Sequence, residues 1–79
     1  MHWFSPSIPV KTNQAGITRQ VSSVEAAAEE LLTWEKKGAA WREAVQACID
    51  AGEGRATPEV ARRAFRAAAK ACGMLRENL

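Results

Sequence analysis

The hydrophobic pattern of this chain changes period once, between Val21 and Ser22, and that switch limits the folds open to it more than any other feature. Before it, Ile8, Val10 and Thr12 alternate with Pro9 and Lys11, and Ile17, Arg19 and Val21 alternate with Thr18 and Gln20. A period of two describes strands. Asn13, Gln14, Ala15 and Gly16 separate the two runs, and Gly16 is free to take a positive φ, so an antiparallel hairpin is expected. Pro9 has no N–H for a ladder, which confines its strand to an edge. An isolated hairpin is marginal in water, so its apolar face must lie on the remainder of the chain.

From Ser22 onward the spacing is helical. Ser22 and Glu25 form an S-x-x-E capping box that would start a first helix. Val24, Ala27, Ala28, Leu31 and Trp34 then share one face, with Glu29, Glu30 and Lys36 in water. Lys36, Lys37 and Gly38 are read as its end. Trp41, Ala44, Val45, Cys48 and Ile49 are the buried positions expected of a second helix, closed by Gly52 and Gly54; the short turn at Gly38 makes the two helices antiparallel neighbours. Thr57 and Pro58 open a third helix and Gly73 stops it. Its faces differ in chemistry: Ala61, Ala64, Phe65, Ala68 and Cys72 lie on one, and Arg62, Arg63, Arg66 and Lys70 on the other.

These elements predict an α+β fold, a two-stranded antiparallel hairpin packed on a three-helix bundle, in one domain over 1–79, with the tail and hairpin in 1–21 and the helices in 22–79. Alanine makes up roughly a fifth of the chain, which favours helix and lets helix axes approach closely. Seventy-nine residues bury only a small core, and chains of this size often draw further stability from a partner subunit. The two cysteines, Cys48 and Cys72, occupy apolar helix positions and are read as buried thiols rather than as a disulfide framework. The N-terminus has no basic start preceding an apolar run, and no stretch is long enough to span a bilayer, so a cytoplasmic protein with no membrane role is expected.

Pro9 and Val10, Ser22 with Glu25 and Ala26, Leu31, Leu32 and Trp34, Cys48, and the cluster of Arg63, Ala64, Phe65, Ala68 and Ala69 together give the chain a resemblance to a family of small bacterial proteins known as domain of unknown function nine-eight-two. The likeness extends over nearly the whole chain. Glu35 stands where the pattern expects proline, and Trp41 where it expects a smaller aromatic or polar ring; both departures fall at the corner between the first two helices. The resemblance implies no activity, cofactor or catalytic residue.

The residues offer little for catalysis. There is one histidine, His2, read as part of an end segment folding over the hairpin with Trp3 and Phe4, and one aspartate, Asp50. No serine or cysteine stands beside a base. Glu29 and Glu30 are helix neighbours that point apart. We therefore expect no enzyme, no catalytic residue, no cofactor, no metal site and no small-molecule substrate.

The first functional expectation is a protein–protein interaction module, with a homodimer as its simplest form. The unprotected hairpin edge, or an alanine and tryptophan surface with Trp3, Trp34 and Trp41 as candidate aromatic contacts, would supply the interface. Trp34 and Trp41 are also expected to meet at the corner of the first two helices as core filling. The alternative is a non-specific nucleic-acid or acidic-partner binder through Arg62, Arg63, Arg66 and Lys70. The net charge is +2, and only residues 57–79 among the helical segments are locally cationic. Glu59 stands at i,i+4 from Arg63 and can pair with it. The acidic first helix would neutralise the basic face if it lay alongside. The spacer from Gly52 to Thr57 is long for a helix-turn-helix, which argues against sequence-specific DNA reading.

Overall fold

The computed structural model describes residues 2–12 and 14–76. It contains β1 (Trp3–Lys11), β2 (Thr18–Ser23), α1 (Val24–Leu31), α2 (Ala39–Gly52) and α3 (Pro58–Ala71), the expected hairpin and then three helices. Asn13 of the expected turn lies outside the described residues. The rest of the turn closes as its chemistry requires: the Gln14 amide donates to Thr12 Oγ1 at 3.1 Å, Ile17 N–H donates to the Gln14 carbonyl at 3.1 Å, and Gly16 takes a φ of +81°.

The strands pair antiparallel with Ile8 opposite Val21, Pro9 opposite Gln20, Val10 opposite Arg19 and Lys11 opposite Thr18; the register shifts before Ile8, so that Trp3 pairs with Ser23. The hairpin is not the open ribbon the sequence implies. After α3 the chain returns to β1, where Leu75 bridges Val10, Lys11 N–H donates to the Met74 carbonyl at 2.8 Å and Arg76 N–H donates to the Pro9 carbonyl at 2.9 Å. A strand residue directs its N–H and C=O to the same side. Pro9 therefore lacks its donor on the outer edge, and the β1–β2 ladder loses nothing.

The first helix begins one residue later than the capping box places it. Ser23, buried and extended, is the N-cap, and its hydroxyl accepts from Ala26 N–H. That puts Glu25 one position too early to reach back to the cap. Its carboxylate instead accepts from the His2 backbone N–H at 3.0 Å and pairs with His2 Nδ1 at 2.6 Å, while Val24 N–H donates to the His2 carbonyl at 2.8 Å. His2 is thus fastened to the start of α1.

The same helix ends at Leu31, well before Gly38. Thr33 competes for the last carbonyls, its hydroxyl donating to the Glu30 carbonyl at 2.8 Å. Trp34 leaves the helix to stack on Phe65 with ring centroids 5.4 Å apart. Gly38 is the N-cap of α2 rather than a terminator of α1. Glu30 is buried rather than wet, with Arg19 Nη1 at 3.1 Å on one carboxylate oxygen and Trp34 Nε1 at 3.2 Å on the other. Glu29 and Lys36 stay exposed.

In α2 the buried positions are Ala44, Cys48 and Ala51. Trp41 and Val45 are half-buried and Ile49 is exposed, because the helix turns a narrower face to the core than its apolar positions allow. The two tryptophans find separate partners at the corner: Trp41 Nε1 donates to the Leu31 carbonyl at 2.7 Å, an acceptor it shares with the Trp34 backbone N–H at 3.4 Å. Phe65, Leu31, Val10 and Val21 are the largest fully buried side chains. Ala27, Ala44, Ala61, Ala68 and Ala69 fill the narrow spaces between helices.

Candidate functional site

The third helix has the boundaries its sequence encodes. Thr57 Oγ1 accepts from Val60 N–H at 3.3 Å, Pro58 lies in the first turn, and Gly73 ends the helix at a φ of +73°. Ala61, Phe65, Ala68 and Ala69 are buried, with Ala64 and Cys72 half-buried. The opposite face divides. Glu59 accepts from Arg62 Nε at 2.9 Å, Arg62 Nη2 at 3.1 Å and Arg63 Nε at 3.0 Å. The Arg62 hydrogen bond is the main cause of the lowered Glu59 carboxyl pKa. The Arg62 side chain is only 18% exposed against 77% for Arg63. Arg66 and Lys70 are exposed, and neither has a carboxylate partner among the described residues.

The acidic residues of α1 do not neutralise this face. Glu25 serves His2, while Glu29 and Glu30 both serve Arg19. An acceptor internal to α3, four residues ahead of Arg63, does that work instead.

Of the three candidate aromatic contacts, Trp34 is buried, Trp41 is half-buried beneath Lys37, whose Nζ lies 5.3 Å from the ring centroid, and Trp3 is 66% exposed. A different apolar surface stands out between α1 and α2. Ala28, Leu32, Val45, Cys48 and Ile49 line a groove of about 170 Å³, and Leu32 and Ile49 are 70% and 46% exposed. The sequence carries a signal for it. Ala28 with Leu32, and Val45 with Ile49, are i,i+4 pairs forming a second apolar row beside the core-facing row of each helix, an arc wider than a single buried stripe requires.

Among the described residues that line the groove, none is charged or hydroxylated. Its one reactive group is the Cys48 thiol, which burial pushes up to about 11, with the charge of Glu25 adding to the effect, so the thiol stays protonated at neutral pH. Cys72 is half-buried, and its thiol donates to the Lys36 carbonyl at 3.3 Å. Both cysteines are free. Among the described residues no cluster of His, Cys, Asp and Glu is arranged to hold a metal ion, and no helix is long and apolar enough to cross a membrane.

No curated protein and no solved structure matches the chain. The family model described as protein of unknown function (DUF982) matches residues 7–75, which take in the second half of β1, all of β2, all three helices and the returning segment as far as Leu75, and the chain belongs to that family.

Proposed function

We propose that this protein is a non-enzymatic protein–protein association module and that the partner of its α1–α2 groove is a second copy of the chain. The exposure of Leu32 and Ile49 beside the groove carries this reading. Large apolar side chains left in water at a concave apolar surface favour a protein partner over a charged one. A protruding Leu32 next to a depression floored by Ala28, Val45 and Cys48 places knob and hole on one face. An isologous two-fold contact needs that arrangement, since each copy must offer both. The free edge of β2 and the exposed Trp3 are further apolar or unpaired surface available to such a contact. The free thiols suit a reducing compartment, and we take the site of action to be the cytoplasm.

The reading as a non-enzyme rests on engaged side chains. Among the described residues no serine, threonine or cysteine hydrogen-bonds to the His2 imidazole, whose partner is Glu25, and Asp50 accepts from Gln46 and Arg55, so no nucleophile stands beside a base. Sedimentation equilibrium over a concentration series tests the association. The wild type is expected to pass from monomer to dimer in the micromolar range, and Leu32→Asp to remain monomeric with an unchanged circular dichroism spectrum. A wild type that stays strictly monomeric at high micromolar concentration sinks the proposal.

A second reading, an acidic or nucleic-acid partner on the basic face of α3, is supported by the exposed Arg66 and Lys70. The shared engagement of Arg62 and Arg63 with Glu59 weakens it.

A further inference from the structure

Three cations from separate stretches of the chain meet at one open pocket of about 410 Å³: Lys11 at the end of β1, Lys70 in the last turn of α3, and Arg76 beyond it, with Gly73 and Leu75 completing the lining. The backbone holds them there. The bridge between Val10 and Leu75, with its flanking hydrogen bonds from Lys11 and Arg76, sets Arg76 opposite Pro9. Lys11 lies two residues beyond Pro9, so Lys11 and Arg76 project on the same side of the ladder. Lys70 approaches from the helix.

Bringing three like charges together costs energy unless a counter-charge is taken up, and the described residues lining the pocket include no carboxylate. The C-terminal end of α3 attracts a cation and accounts for Lys70, but not for Lys11 or Arg76. A second observation points the same way: Arg76 Nε is buried and has no hydrogen-bond partner among the described residues. Buried donors of this kind are nearly always satisfied, and an orphan beside a cationic pocket marks the place of an acceptor.

We propose that this pocket binds the phosphate group of a small phosphorylated molecule. A phosphate offers enough acceptor oxygens and charge for two ammonium groups and a guanidinium together, which a single carboxylate does not. The volume falls within the range of small-molecule sites, about 300 to 1,000 Å³, so the phosphate brings a further group with it. None of the lining residues belongs to the α1–α2 groove, and the site is independent of the association proposed above.

The test is an amide NMR titration of the full chain with inorganic phosphate and, in a second arm, with pyrophosphate. Saturable shifts centred on Lys11, Gly73, Leu75 and Arg76 are expected in at least one arm. Tighter binding of pyrophosphate would assign a phosphoanhydride ligand, and equal or weaker binding a monoester. Lys11→Gln and Lys70→Gln, both at exposed side chains, should each weaken binding about tenfold, the loss of one charge-assisted contact. Arg63→Gln, on the same helix but outside the pocket, should leave it unchanged. Shifts that fail to saturate in either arm, that centre elsewhere, or that persist undiminished in the Lys11→Gln/Lys70→Gln double variant would overturn the proposal.

Discussion

Glu25, Glu30 and Glu59 begin with the same chemistry and end in three different environments. Glu30 is buried because Arg19 from β2 and the Trp34 indole each take one of its oxygens; a buried carboxylate survives only with such partners. Arg19 is remote from the helix and Trp34 has left it, so a helical wheel assigns Glu30 to solvent. The pairing of Glu59 with Arg63 is legible in the sequence, since an i,i+4 pair is local. Glu25 has the clearest consequence for pH. The hydrogen bond with the His2 side chain, and after it that from the His2 backbone, lowers its carboxyl from an ordinary 4.5 to about 2. A carboxyl with a depressed folded-state pKa stabilises fully above its unfolded value, and the contribution drains away as pH falls through the interval down to the folded value. Urea unfolding of the wild type should therefore show stability declining between about pH 4.5 and pH 2. Glu25→Gln should lose less over that interval, the remaining loss coming from Asp50 and Glu59, whose pKa values are also lowered. Equal acid sensitivity in the two proteins would show that the His2 contact contributes nothing in solution.

At the scale of the element, α3 is legible from end to end and α1 at neither end. The limits of α3 come from a threonine, a proline and a glycine acting on their own backbone. Its amphipathic pattern is equally self-contained. The start of α1 offers two adjacent serines, and the capping-box spacing favours Ser22. Strand pairing decides otherwise: β2 runs on through Ser23, whose buried hydroxyl then meets Ala26 N–H. Ser23→Ala should accordingly cost about 1 kcal/mol of unfolding free energy, and Ser22→Ala only a few tenths, by denaturant titration. The reverse order would restore the capping box. The end of α1 depends on distant residues as well. Trp34 continues the helical spacing, yet Phe65 of α3 draws the ring out of register, and the Trp41 indole from α2 donates to the carbonyl of Leu31, the last residue of α1.

At the scale of the whole molecule, the segment 74–76 changes what the sheet exposes. It occupies the outer edge of β1 over Pro9 to Lys11, so β1 keeps an open edge only before Pro9, whereas no strand among the described residues covers the outer edge of β2 at any point. Deleting residues 74–79 should remove hydrogen-exchange protection from the Lys11 amide and lower stability by several kcal/mol, from the loss of two backbone hydrogen bonds to β1, two more to the Ala69 carbonyl, and the packing of Met74 and Leu75. Retained protection at Lys11 would mean the bridge does not persist in solution. The two candidate sites also arise at this scale. The groove needs α1 and α2 side by side, and the cationic pocket needs Lys11 and Arg76, from opposite ends of the chain, brought to one ladder. Element order, the hairpin, the third helix and the alanine-lined core are already written in the order of the residues, because periodicity, caps and turns act over a few positions. Where α1 starts and stops, which glutamate is buried, which tryptophan meets solvent and which cations converge are settled only on folding. Each of those outcomes depends on competition between a local preference and a partner remote in the chain, and the folded packing alone sets its strength.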